Sequence, residues 1–124
     1  MKCMNLEIKG IFVDGAVDDQ PPSASDSGSV PIRVEIGEAG KEGSETFYFV
    51  AASPAALSDE ASHGGFKFLR GYILMSHFDM NVVRRAVENL VNHARSRDTW
   101  GEVIAFFNRY GVYDSEDLDG KHFP

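Results

Sequence analysis

Four histidines, one cysteine and a run of carboxylates near the C-terminus are the side chains with the most chemistry to offer. His63, His77, His93 and His122 include no pair four residues apart, the spacing that sets two imidazoles on one helix face for zinc. His77 and Asp79 could share a metal in principle, but an Asp just ahead of an apolar helical stretch serves better as an N-cap. Cys3 is the only cysteine, so intramolecular disulfides and cysteine clusters are excluded. No G-x-S-x-G elbow is present, and Gly64-Gly65 lies in no phosphate-binding pattern. Asp114, Glu116, Asp117 and Asp119 are close in sequence, but the stretch to Gly120 lacks both the ligand spacing and the closing Glu of a calcium loop. Acid–base catalysis needs carboxylates that are buried and placed in different environments, which a run of neighbouring acids in a polar tail does not supply. These residues therefore read as a solvated acidic tail, with no catalytic group, cofactor or metal expected.

Charge is the stronger signal. The 124 residues carry 12 Lys and Arg against 19 Asp and Glu, a formal net charge of −7. Residues 1–65 have a net charge of −7, 66–97 of +4 and 98–124 of −4. Nucleic acids and anionic membranes are bound by Lys and Arg that displace counterions, so an acidic chain is expected to bind neither. It would suit a basic partner, but charge alone favours the simpler reading that it keeps a small domain soluble. The basic stretch, with Lys67, Arg70, Arg84, Arg85, Arg95 and Arg97, reads as a solvated helix face between acidic segments. The start, MKCMNLEIKG, has no apolar h-region, and no run approaches the length of a membrane span. A cytoplasmic protein is the expectation.

The length predicts a single domain over 1–124, and 43% hydrophobic residues supply a packed core. Leu6, Ile8, Ile11 and Val13 mark a half-buried strand with Gly10 as a bulge. Residues 14–29 hold two Pro, four Asp and four Ser and read as a flexible loop. VPIRVEI (30–36) alternates strictly, GEAGKEG (37–43) is a hairpin loop, and TFYFVA (46–51) returns antiparallel, covered in part on both faces. Ser53-Pro54 opens a short helix over Ala55–Glu60 that SHGG (62–65) ends, and Phe66–Met75 reads as the next strand. From Asp79, the valine stripe through Val82, Val83, Val87 and Val91 predicts a helix over Met80–Arg95. Thr99-x-x-Glu102 is a capping box for a last helix through Val103, Phe106, Phe107 and Tyr110, with Gly111 as its stop. Trp100, in its first turn, is placed to staple the two helices together. Residues 112–124 form the acidic tail. The expected fold is α+β: a mostly antiparallel sheet of three to four strands with two C-terminal helices on one face.

Three stretches together resemble the immunity protein 8 family of bacterial polymorphic toxin systems. They are FYFVAASPAAL (Phe47 to Leu57), YILMSHFD (Tyr72 to Asp79) and TWGEVIAFFNRYGVYDSED (Thr99 to Asp117). The last is similar to the family's Trp-x-Glu helix and its aromatic-acidic close, with Tyr113 and Asp114 where a Trp and a Glu are expected. The resemblance implies a non-enzymatic inhibitor that binds a cognate toxin domain, such as a nuclease. The charge of this chain suits a basic one. Charge and exposure then nominate Glu35, Glu38, Glu42 and Glu45 around the first hairpin, with Trp100, Tyr113, Asp114, Glu116 and Asp117, as partner-binding residues. Aromatics among acids supply both buried area and steering. The alternative is a small enzyme or ligand-binding domain with a pocket between sheet and helices, using His77, Tyr72 or Arg70.

Overall fold

The computed structural model describes residues 4–14 and 28–114. Most of the 14–29 loop, and the tail beyond Asp114, lie outside the described residues. Strands β1 (Leu6–Val13), β2 (Val30–Glu38) and β3 (Glu45–Ala52) form an antiparallel meander. The register shifts between Ile8 and Gly10. That one-residue bulge keeps Leu6 and Ile8 ahead of it, and Ile11 and Val13 beyond it, packed on the same core.

After β3 the chain departs from expectation. Helix α1 (Pro54–Gly64) is longer than the predicted Ala55–Glu60, capped by Ser53 and stopped by Gly65. It forms a crossover, so β4 (Tyr72–Leu74) pairs parallel to the C-terminal half of β3. Among the described residues the sheet is therefore mixed, with this one parallel pairing among three antiparallel ones, and five-stranded rather than three- or four-stranded, while the three helices are the short one and the two C-terminal ones that the sequence indicates. Only three residues of the predicted Phe66–Met75 strand join the sheet. Gly71, at φ 92°, turns the chain sharply, a conformation other residues adopt only with strain. Arg70 is also held away from β3 by bonds to Asn108.

Helices α2 (Met80–Ala94) and α3 (Trp100–Phe107) cover one face of the sheet. In α2 the side chain of Asp79 accepts from the Asn81 N–H at 2.9 Å, and Val83, Val87, Val91 and Ala94 are buried. In α3 the Thr99 hydroxyl accepts from the Glu102 N–H at 3.2 Å, but the Glu102 carboxylate bonds the N–H of Asp98, not that of Thr99. Phe106 and Phe107 are buried, and the Phe107 ring lies 5.0 Å from that of Phe47. Burying each such ring contributes about 2–3 kcal/mol. Tyr110 is exposed and rests on Phe106.

The expected tail instead begins with a strand. β5 (Val112–Tyr113) pairs antiparallel with Phe47 and Tyr48, on the same side of β3 as β4. Gly111 is not the left-handed helix stop the sequence suggests. An added Cβ there would lie 2.7–3.0 Å from the Phe49 ring, so the position needs the absence of a side chain.

Candidate protein-binding surface

Strand alternation places the hairpin acids. The residues of β2 that face α2 and α3 are Val30, Ile32, Val34 and Ile36, and the next on that face is Glu38. On β3 the corresponding series is Phe49, Phe47 and Glu45. At the hairpin end, therefore, the face that buries hydrocarbon further in presents carboxylates. Trp100 stands opposite, in the first turn of α3. A depression of roughly 300 Å³ lies between them, lined by Glu38, Lys41, Glu42, Glu45 and Trp100 together with Gly43 and Ser44. Trp100 thus meets the hairpin as well as the core, beyond the predicted staple between helices.

Tyr113 reaches this depression only through Glu45. Paired with Phe47, it packs against that ring at 5.4 Å, and its hydroxyl donates to Glu45 Oε1 at 2.7 Å. Asn108, just past α3, accepts the Tyr113 N–H at 3.1 Å and an Arg70 N–H at 2.8 Å, and so seats β5. The hairpin loop is tied down by Lys9 Nζ, which donates to the Lys41 carbonyl at 2.8 Å. Lys41 Nζ lies 3.3 Å from Glu38 in an exposed pair, worth little in water.

Two nominated residues sit on the opposite face of the sheet. Glu35 lies 3.6 Å from Arg33, which also approaches Asp14 at 3.7 Å and stacks over Phe12 at 4.7 Å. Asp114 follows Tyr113 in the chain and therefore points to the other side. It donates its N–H to the Thr46 carbonyl, and its Oδ2 accepts from the Tyr48 hydroxyl at 3.2 Å. Burial, then the Asp114 carboxylate, pushes the Tyr48 phenol above its usual value of 10.0. Glu116 and Asp117 lie outside the described residues. The structure thus gathers Glu38, Glu42, Glu45, Trp100 and Tyr113, and separates Glu35 and Asp114 from them. Lys41, Tyr48 and Asn108 were not nominated from the sequence. Their roles depend on strand register and on a contact 38 residues long, which no local pattern carries.

The residues proposed for the alternative pocket have separate surroundings. His77 is exposed and touches Ser76, the Tyr72 hydroxyl donates to Glu60, and Arg70 serves Asn108 and the Gly111 carbonyl. A larger depression of roughly 470 Å³ runs between β1 and α2 and contains none of the three. Among the described residues no group of three or more His, Cys, Asp or Glu could hold a metal ion. No described helix is long and apolar enough to cross a membrane.

The fold is α+β, and its hairpin end carries a depression lined by carboxylates and Trp100. Residues 6–118 match the family model of immunity protein 8, most of the chain, and the chain belongs to that family. Neither the curated proteins nor the solved structures give a match.

Proposed function

We propose that this chain binds a cognate bacterial toxin domain in the cytoplasm and neutralises it as a stoichiometric protein inhibitor, without catalysis. Membership of the immunity protein 8 family supports the class of activity. The observation that carries the mode of binding is the cluster of Glu38, Glu42 and Glu45 around a depression edged by Trp100, with Tyr113 bonded to Glu45 beside it. Three carboxylates around a cavity attract a Lys or Arg side chain, and an indole edge offers it apolar and cation–π contact. A net charge of −7 draws a basic domain in and sets it in register before the aromatic contacts close. A nuclease presents a basic groove to its own substrate, and an acidic lip seated there would block it. Because the partner's cations are already matched to phosphate, the acidic protein competes for the same charges.

The test is co-expression with the cognate toxin domain, to be sought in the gene beside the one that encodes this chain. Growth should be rescued and a 1:1 complex should form. Changing Glu38, Glu42 and Glu45 together to Gln should weaken that complex roughly ten- to a hundredfold and flatten its salt dependence. No rescue and no complex would overturn the inhibitor reading. Rescue with unchanged affinity in the triple variant would move the interface off the lip.

A further inference from the structure

Strand β5 is too short to hold its place by backbone pairing alone, since its ladder joins only Phe47 to Tyr113 and Tyr48 to Val112, with one more bond from the Asp114 N–H to the Thr46 carbonyl. A side-chain clamp adds to it. Arg70 Nε donates to the Asn108 carbonyl at 3.0 Å, and its Nη2 donates to Asn108 Oδ1 at 2.8 Å and to the Gly111 carbonyl at 3.4 Å. One guanidinium thus holds both ends of the turn that leads into β5. The backbone beside Arg70 is itself fixed, because the Gly71 carbonyl accepts from the Val50 N–H of β3 at 2.8 Å. Asn108 Oδ1 in turn accepts from the Tyr113 N–H at 3.1 Å, and the Tyr113 hydroxyl donates to Glu45 Oε1 at 2.7 Å. A line of bonds therefore runs from Val50 in β3 through Arg70, Asn108 and Tyr113 to Glu45, the first residue of the same strand and part of the lining of the depression.

We propose that Arg70 and Asn108 are positioning residues for the acidic depression: by seating Tyr113 they fix the Glu45 carboxylate, and so raise the affinity for a basic partner. Neither residue lines the depression. Their role rests on the function proposed above, in which the depression receives a Lys or Arg of the partner. The physical reason is ordering. A Glu side chain that moves freely in water must be immobilised when a cation arrives, whereas one held by a phenol hydroxyl is ordered on folding, before the partner binds. Asn108 Oδ1 accepts in both of its bonds, so an Asp carboxylate can replace it and an Ala cannot. For Arg70 charge works in the opposite direction. Removing a cation from a chain of net charge −7 should by itself draw a basic partner more strongly. Weaker binding after Arg70→Met is therefore a sign of positioning that long-range attraction does not produce.

The experiment titrates the full chain with an oligo-arginine peptide at low salt and follows the fluorescence of Trp100, the only Trp and part of the lining of the depression. Asn108→Ala and Arg70→Met should each weaken binding roughly three- to tenfold. Asn108→Asp should bind at least as tightly as wild type, because it keeps the acceptor and adds a negative charge. Tyr113→Phe keeps the ring on Phe47 and removes only the hydroxyl, so it tests the same link with the least disturbance to folding. It should lose as much as Asn108→Ala, and the two changes together should lose no more than either alone. The Tyr113 amide should exchange with deuterium faster in Asn108→Ala and regain its protection in Asn108→Asp. A wild-type chain whose Trp100 does not respond, or a Glu38→Gln/Glu42→Gln/Glu45→Gln variant that responds equally, overturns the depression as the binding site and this proposal with it. A weakened triple variant beside Asn108→Ala and Tyr113→Phe chains that bind like wild type overturns the positioning role alone. So does an Asn108→Asp chain as weak as Asn108→Ala.

Discussion

Gly111→Ala should destabilise the fold and weaken partner binding together, although the residue belongs to neither the hairpin nor the aromatic lip. Its backbone is not in the left-handed region, so conformation alone would accept Ala. Replacing Gly at such a site usually stabilises by about 0.4–1 kcal/mol, because the unfolded chain loses freedom. The obstacle is Phe49. The new methyl would lie 2.7, 2.8 and 3.0 Å from Cζ, Cε2 and Cε1 of its ring, and that ring is only 2% exposed, so it has little room to yield. Forcing one extra carbon into a packed core costs about 1–3 kcal/mol. The net loss should be about 1–2 kcal/mol, a fall in Tm of roughly 3–10 °C for a chain of this size. Chemical denaturation measures the free energy and thermal melting the shift. Gly111 leads directly into β5, so displacement there also moves Tyr113 away from Glu45. A double-mutant cycle with Phe49→Leu isolates the cause: the smaller side chain should relieve at least about 1 kcal/mol of the loss. Unchanged or raised stability in Gly111→Ala, or no coupling to Phe49, would refute the steric argument.

Other outcomes follow from the same geometry. Gly71→Ala should cost about 1–2 kcal/mol for a different reason, strain at φ 92° with room to spare around the new methyl, so no second-site truncation should rescue it. The bond from Ser29, then those from Lys67 and Tyr72, hold the Glu60 carboxyl below its ordinary value of 4.5 against the opposing effect of burial. Its ionised form therefore stabilises the fold above that value, and the contribution is lost as the pH falls through the lowered folded value. Glu60→Gln should flatten the acid limb of a stability–pH curve below about pH 4.5, and Ser29→Ala should raise the Glu60 midpoint in an NMR titration. Asp114→Asn should lower the Tyr48 midpoint only part of the way to 10.0, since burial, the larger cause, remains. A full return would show that the carboxylate alone shifts it.

The sequence was most informative where one element decides its own structure. The valine stripe of α2, its Asp79 cap and the bulge at Gly10 are local patterns, and each is found where the spacing puts it. The β2–β3 hairpin follows from a link too short for anything else. What escaped was long-range. Nothing in TFYFVA shows that one side of β3 accepts two short strands end to end, one of them parallel. FKFLRGYILM has the composition of a strand, yet Gly71 and the bonds from Arg70 to Asn108 keep its first half out of the sheet. The nominated residues divide for the same reason. Glu35 and Glu38 part because β2 runs on to Glu38, two residues past the expected strand end, and Tyr113 and Asp114 could be assigned to opposite faces only once VY was known to be a strand. Trp100 reaches the hairpin acids through the packing of α3 on the sheet, which spacing does not reveal.

Isothermal titration with the cognate toxin domain tests most directly whether the acidic lip is the partner-facing surface. Wild-type protein and the Glu38→Gln/Glu42→Gln/Glu45→Gln variant would each be titrated at low and at high salt. One-to-one binding that weakens with salt, and a variant that is both weaker and less salt-sensitive, is the predicted result. Equal affinity and equal salt dependence for the two proteins would contradict it.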